Sequence, residues 1–368
     1  MPTFVHTGDV HLDTPFSANF SQKQMQIRRR EVMQTFRSIV LAAKDKDFLL
    51  ISGDLFDGQF VSADTISFVK RCFAEIPDTQ ILMVAGNHDP YLPDSVYATE
   101  FWGDNVHIFG TEWEFFDFPE KKTRVHGRSF RAPHEEISLM KEISLADGWC
   151  NLMLLHGEIV AVGGESSYNP IEKNALARCG VDYVALGHIH QRSSLARLDG
   201  VYYAYCGIPE GRGFDEEGEK GYYIGEANKG YVELNWIPSS SRVFRYVIID
   251  VTSAENGFEV QEMIADAIKN AEGADGIYKV LLRGRTRRGM VDIANLSDAL
   301  SHVAFYLDIV DETKPEILPE EMAKENTLRG DFAKAMLEKI QEMPDEEKEI
   351  GYLALELGLS SMERGHRA

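Results

Sequence analysis

Polar side chains able to bind a metal ion or move a proton gather in five short clusters within the first 190 residues. These are Asp9-Val10-His11, Gly53-Asp54-Leu55-Phe56-Asp57, Gly86-Asn87-His88-Asp89, His156-Gly157 and Gly187-His188-Ile189-His190. Brought together, Asp9, His11, Asp54, Asn87, His156, His188 and His190 supply two carboxylates, one amide and four imidazoles. Such groups cannot share a dry crevice uncompensated, because burying polar and charged groups unpaired is costly. Divalent cations supply the compensation. Mixed nitrogen and oxygen donors without sulfur suit manganese, iron or zinc better than calcium or magnesium. The set is too large for one tetrahedral ion and suits two ions bridged by a shared carboxylate.

Each residue also has a plainer reading. Asp9, Asp54 or Asn87, taken singly, is a good helix N-cap, and His156 alone reads as a core histidine. His188 and His190 are harder to dismiss, since alternate residues of an extended segment face one side. What joins the clusters is position, because each follows an apolar strand. Strand ends of open α/β sheets converge on one crevice, where ligands bind. Glycines precede Asp54, Asn87 and His188, which fits sharp turns with close backbone approach.

The elements that must position these residues are legible as apolar runs. Strands are predicted at 3–8, 48–52, 80–85, 151–155 and 182–187, with helices at 22–46 and 62–75. Their alternation implies βαβ units and an at least partly parallel, buried sheet. Runs at 201–206, 220–226 and 230–236 are predicted to form an antiparallel meander. "PSSS" at 238–241 is the candidate linker. Beyond it, strands at 243–251, 277–285 and 303–310 with helices at 258–271 and 295–302 suggest a small α+β domain. Helices at 328–343 and 345–357, broken at Pro344, complete the chain. The expected division is therefore 1–241, 242–312 and 313–368.

The chain has 368 residues, enough for two domains, and its formal net charge is −21. Acidic residues outnumber basic ones in the carboxy-terminal segment. This balance weighs against a nucleic-acid partner unless cations are concentrated locally or metal ions intervene. Cys72, Cys150, Cys179 and Cys206 are scattered, as expected of reduced thiols in a cytoplasmic protein. Neither a signal peptide nor a membrane-spanning run is recognised. No GxxxxGK[ST] occurs, since Gly213 and Gly218 are followed by Glu219; any ATP dependence belongs to a partner.

The ordered motifs D-x-H, G-D-x-x-D, G-N-H-D, H and G-H-x-H across residues 9–190 resemble the calcineurin-like metallophosphoesterase superfamily. The resemblance implies an α/β fold, a double β-sheet sandwich flanked by helices. It assigns Asp9, His11, Asp54 and His190 to one ion and Asp54, Asn87, His156 and His188 to the other, with Asp54 as the bridge. His88 is left free to stabilise the transition state or protonate the leaving oxygen. Asp57 would orient His88, although a turn or N-cap role in "FDG" competes. His6 reads as core, and His107, His126, His134, His302 and His366 receive no role.

Three narrower features resemble the SbcD-like branch of DNA repair exonucleases: "HLDTPF" at 11–16, "YYAYCGIPEGRGFDEEGEKGYYIGE" at 202–226, and the extra domain after 244. That branch implies a manganese-dependent DNA exonuclease, with iron or zinc as other candidate ions. It also implies a small α+β capping domain that presents DNA and an ABC-type coiled-coil ATPase partner docking on the C-terminal helices. Family members often form homodimers. Arg283, Arg285, Arg287 and Arg288 are the densest basic cluster and candidate phosphate contacts; a solvated hairpin tip is the alternative. Arg28-Arg29-Arg30 reads as the exposed face of a helix. The rival activity is a phosphodiesterase or phosphatase acting on a small or protein-bound phosphoester, which the acidic balance favours. A non-catalytic scaffold would have lost ligands, and every one is retained here.

Overall fold

The computed structural model of the chain describes residues 1–16, 18–58, 60–271, 273–287, 289–316 and 318–364. It forms two units, Met1–Tyr246 with Asp275–Tyr278, and Val247–Ala274 with Lys279–Ala368.

The first unit begins with β1 (Thr3–Thr7), α1 (Gln22–Ala42), β2 (Phe48–Ser52), α2 (Ala63–Ala74) and β3 (Gln80–Val84). There follow α3 (Val96–Thr99), β4 (Val106–Ile108), β5 (Glu114–Phe118), β6 (Thr123–Gly127) and β7 (Cys150–His156). Next are β8 (Glu158–Val160), β9 (Pro170–Glu172), α4 (Lys173–Arg178) and β10 (Tyr183–Gly187). β11 (Ala196–Leu198), β12 (Val201–Tyr205), β13 (Gly221–Asn228) and β14 (Tyr231–Pro238) complete it.

Two six-stranded mixed sheets result, in the orders β14-β13-β1-β2-β3-β4 and β11-β12-β10-β7-β6-β5. In the first, β1 to β4 run parallel. In the second, β12, β10, β7 and β6 do. The alternation of β2 shows why its every residue is apolar or buried. Phe48 and Leu50 join Leu152, Leu154, Tyr183 and Ala185 between the sheets. Leu49 and Ile51 turn the other way, towards Val32, Phe36, Ile39 and Val40 of α1 and Val69 and Phe73 of α2. With both faces covered, strands read as continuous apolar runs, and each large side chain so buried contributes about 1.5–3 kcal/mol.

Two expectations are corrected. The runs at 201–206, 220–226 and 230–236 do not form one meander. β12 lies in the second sheet, parallel to β10, whereas β13 and β14 are a hairpin on the first sheet beside β1. The glycine-bearing segment between β12 and β13 carries the chain from one sheet to the other, which a local turn pattern cannot reveal. Arg28 is not on an exposed helix face. It is fully buried, four residues before Val32 on the inner side of α1, and its guanidinium meets Glu210 at 2.7 Å and Glu31 at 2.5 Å. Arg29 and Arg30 are exposed as expected.

The second unit holds most of a three-stranded sheet of order β15-β16-β18, built from β15 (Phe244–Asp250) and β16 (Ile277–Arg283), whose first residues belong to the first unit, and β18 (Tyr306–Asp311). Its other elements are α5 (Gly257–Ala271), β17 (Arg285–Thr286), α6 (Ile293–Ala299), β19 (Lys314–Pro315) and α7 (Pro319–Met322). Last come α8 (Leu328–Gln341) and α9 (Asp345–Arg364). α7, α8 and α9 share a small core of Met322, Ala333, Ile340, Leu355 and Leu359, with Phe332, Met336 and Leu337 against it. Ile350, Leu353 and Leu357 of α9 are exposed.

Candidate metal centre

Beyond the carboxyl ends of β1 and β2 the two chain segments continue side by side. Asp9 N–H donates to Gly53 O at 2.9 Å, His11 N–H to Asp54 O at 3.0 Å, and Asp57 N–H to Leu12 O at 3.0 Å. Asp9, His11 and Asp54 have φ of 49°, 50° and 49°, and His188 has φ of 97°. Positive φ is uncommon outside glycine and marks backbone held by its surroundings, often at functional sites. Here it falls on four of the seven predicted donors. Space is equally tight. A Cβ on Gly86 would stand 2.1 Å from Asp54 Oδ1, and one on Gly187 2.1 Å from Ser52 O. The glycines before Asn87 and His188 are thus required by approach.

The fold brings all seven predicted donors together. Asp54 Oδ1 accepts from His88 N–H at 2.9 Å. Asp54 Oδ2 lies 3.8 Å from His11 Nε2 and 3.4 Å from His156 Nε2. Asp9, His11 and His190 form one group within reach of a common ion, and Asp9, Asp54 and His156 another. Asn87 Oδ1 sits 2.9 Å from His156 Nε2 and 3.1 Å from His188 Nδ1.

The hydrogen bonds behind these donors decide what the site can hold. His11 Nδ1 faces Asp57 Oδ1 at 3.2 Å, and His190 Nδ1 faces Glu216 Oε1 at 2.7 Å. Ionised carboxylates only accept, so both Nδ1 atoms carry a hydrogen, and each ring is turned with its Nε2 towards the other donors. Those Nε2 atoms are 3.2 Å apart, close enough to serve one ion together with Asp9. His156 Nδ1 is likewise turned to the carbonyl of Ser52 at 3.0 Å, leaving its Nε2 to face the Asn87 and Asp54 oxygens. The donor set fits divalent metal ions, with the imidazoles oriented by their outer partners.

Titration behaviour follows the same map. Burial pushes the Asp9 carboxyl up to about 6. Burial opposes ionisation of Asp54 as well, yet His156, His11 and His88 together hold it below the usual carboxylate range. His156 rises to about 9 because Asp54 and Asp9 outweigh its burial. Burial lowers His11 to about 4 and, with the charge of His156, lowers His188 to about 3. His88 differs: its Nδ1 meets Asp57 Oδ1 at 2.7 Å, which raises its pKa despite some desolvation.

Several neighbours are structural. His6 lies between the sheets, bonded to Tyr183 and Ser52 at 2.8 and 3.2 Å, and burial lowers it to about 3. Asp89, the last residue of "GNHD", is a clasp. Its carboxylate accepts from Gly86 N–H, Phe56 N–H and Tyr97 O–H. His107 and His126 bond Gln80 and Asn151. The sequence reading missed Glu216 and Arg212. Both lie inside the 202–226 segment, but nothing local links them to His190.

The basic cluster sits in the second unit, and each of its described arginines faces an acid. Arg283 meets Glu312 at 2.8 Å, Arg287 meets Glu316 at 3.5 Å, and Arg285 pairs with Glu356. Arg288 lies outside the described residues, as does His366.

Two mixed sheets with an Asp/His/Asn donor set at their strand ends define a metallophosphoesterase. The profile of the calcineurin-like phosphoesterases matches residues 2–192, and the chain belongs to that family. It is 29% identical over 296 residues to an uncharacterized metallophosphoesterase, YhaO, of Bacillus subtilis, covering 77% of this chain and 72% of that protein. It is 24% identical over 335 residues to the DNA double-strand break repair protein Mre11 of Saccharolobus solfataricus, covering 85% and 84%. The Mre11 of Methanopyrus kandleri is 24% identical over 331 residues, covering 77% and 70%. Among the described residues no helix is long and apolar enough to cross a membrane.

Proposed function

We propose that this phosphoester hydrolase is a DNA exonuclease that cleaves phosphodiester bonds with two divalent ions, manganese being the working pair, in DNA repair. The observation that carries the reading is the Asp54 carboxylate. Its Oδ2 stands between His11 Nε2 and His156 Nε2, while Oδ1 accepts from His88 N–H. Asp9, His11, Asp54 and His190 would hold one ion, and Asp54, Asn87, His156 and His188 the other. Bound there, the ions supply Lewis-acid stabilisation of phosphate charge and a nucleophile at neutral pH.

The protein's own part is proton delivery and orientation. His88 is exposed, and its Nδ1 is occupied by Asp57. That leaves Nε2 to donate a proton to the departing oxygen. Asp57 supports this twice, raising the His88 pKa and steering the His11 ring. Substrate choice rests on the relatives named Mre11, which align with 77% and 85% of this chain, and on the 202–226 segment. The exposed Ile350, Leu353 and Leu357 of α9 are the surface we assign to an ABC-type ATPase partner.

One observation favours a different substrate. The net charge is −21, and the described arginines of the basic cluster are paired with glutamates. Both suit a small or protein-bound phosphoester better than a polyanion.

The deciding experiment uses metal-stripped protein with manganese restored, beside His88→Ala. It is offered end-labelled duplex DNA, single-stranded DNA and a small chromogenic phosphodiester. Manganese-dependent shortening of DNA that the variant lacks supports the exonuclease. Turnover of the small diester with DNA intact, with and without an ATPase partner, transfers the assignment to the small-substrate reading.

A further inference from the structure

The segment joining β12 to β13 contributes two side chains that no motif predicts. Glu216 and Arg212 lie four residues apart, and their side chains are 5% and 18% exposed. Glu216 Oε1 accepts from His190 Nδ1 at 2.7 Å and from Arg212 Nη2 and Nε at 2.9 and 3.2 Å. Its Oε2 accepts from the Arg212 backbone N–H at 2.7 Å. Arg212 therefore grips both oxygens of the carboxylate, and the carboxylate cannot turn away from His190. Arg212 Nη2 also stands 3.2 Å from His190 Nδ1, so guanidinium, carboxylate and imidazole meet at one point.

The same guanidinium reaches across the site. Its Nη1 is 3.9 Å from Asp57 Oδ1, the oxygen that receives His11 Nδ1 and His88 Nδ1 at 3.2 and 2.7 Å. One cation thus stands between two largely buried carboxylates, each of which orients an imidazole of the site. Unpaired, two such carboxylates would repel each other at short range.

We propose that Glu216 and Arg212 are positioning residues. Glu216 fixes the His190 ring with Nε2 turned to the donor set, and Arg212 holds Glu216 in place and sets it in register with Asp57 and His88. The inference rests on the metal-binding part of the proposed function, not on the choice of substrate. A carboxylate behind a ligating histidine commonly carries a 10- to 100-fold effect on metal affinity.

The test is calorimetric titration of manganese into metal-free protein, with no substrate present. Glu216→Ala should weaken one of the two ions by about 10- to 100-fold and leave the other as in the parent. Glu216→Gln should recover part of that loss, because the amide oxygen still accepts from Nδ1–H. Arg212→Met should weaken the same ion by a smaller factor. The double variant should fall short of the product of the two single losses, since Arg212 acts on His190 through Glu216. Metal-free melting temperatures close to the parent's separate positioning from lost folding.

Parental affinity for both ions in Glu216→Ala, or an equal loss at both, overturns the proposal. If Glu216→Ala fails to fold, Arg212→Met decides on the same criteria. A parent that binds no divalent ion overturns the metal reading itself, so the two failures are distinguishable.

Discussion

Gly86→Ala adds a single methyl group where the Asp54 carboxylate stands, and its consequence can be worked out before the experiment. Gly86 has no positive φ, so alanine meets no backbone penalty there. The new Cβ would lie 2.1 Å from Asp54 Oδ1 and 2.8 Å from both Asp54 Cγ and its backbone nitrogen, against an ordinary contact of 3.4 Å or more. Asp54 must retreat by about 1.3 Å to relieve that overlap. It cannot do so freely, because its backbone is held at φ 49° and its carbonyl accepts from His11 N–H. A misplacement of about 1 Å at a reacting centre costs on the order of 10²-fold in rate, and overpacking costs about 1–3 kcal/mol of stability. The assay pairs manganese titration of metal-free protein with hydrolysis of whichever phosphodiester the parent cleaves. Gly218→Ala serves as control: its φ is 87°, so it carries backbone strain, but nothing lies within 4 Å of the added Cβ. Gly86→Ala should lose metal affinity and about two orders of magnitude in rate, whereas the control keeps both. Gly86→Ala protein with parental affinity and turnover would refute the claim that Asp54 is pinned by close approach.

Other expectations follow from the same contacts. Asp89→Ala orphans the buried Gly86 N–H, Phe56 N–H and Tyr97 O–H; at about 1–3 kcal/mol per unsatisfied donor, denaturant unfolding should show a loss of at least about 3 kcal/mol, and an unchanged midpoint contradicts its role as a clasp. Arg28→Met leaves the buried Glu210 without its guanidinium and should cost about 3–5 kcal/mol, while Arg29→Gln and Arg30→Gln should leave the unfolding curve nearly unmoved. Chelation should lower the melting temperature, because ions at about 100 times their dissociation constant stabilise the fold by about 2.7 kcal/mol. His88→Ala should keep that metal-dependent shift and Asp54→Asn should lose most of it; equal shifts in the two would argue against Asp54 as a ligand.

The donors were legible in the sequence because a strand end is a local event. An apolar run, a glycine and a polar residue specify where a side chain leaves a sheet, whatever lies next to it. Asp9, Asp54, Asn87, His156 and His188 each follow the carboxyl end of a strand, β1, β2 and β3 running parallel in one sheet and β7 and β10 parallel in the other. The same locality misled the reading of 201–236. Three runs separated by turns resemble a meander, yet β12 and β13 belong to different sheets, and only long-range pairing reveals that. It also hid the inner side of α1, where Arg28 is matched by Glu210, 182 residues away. Glu216 and Arg212 escaped notice because their partners, His190 and Asp57, are close only once both sheets have formed. The sequence by itself determined which residues stand at strand ends and that their side chains are of the kinds that ligate metal ions. Tertiary structure alone decided which ring nitrogen His11, His156 and His190 turn to the site, through hydrogen bonds to residues that no spacing rule connects.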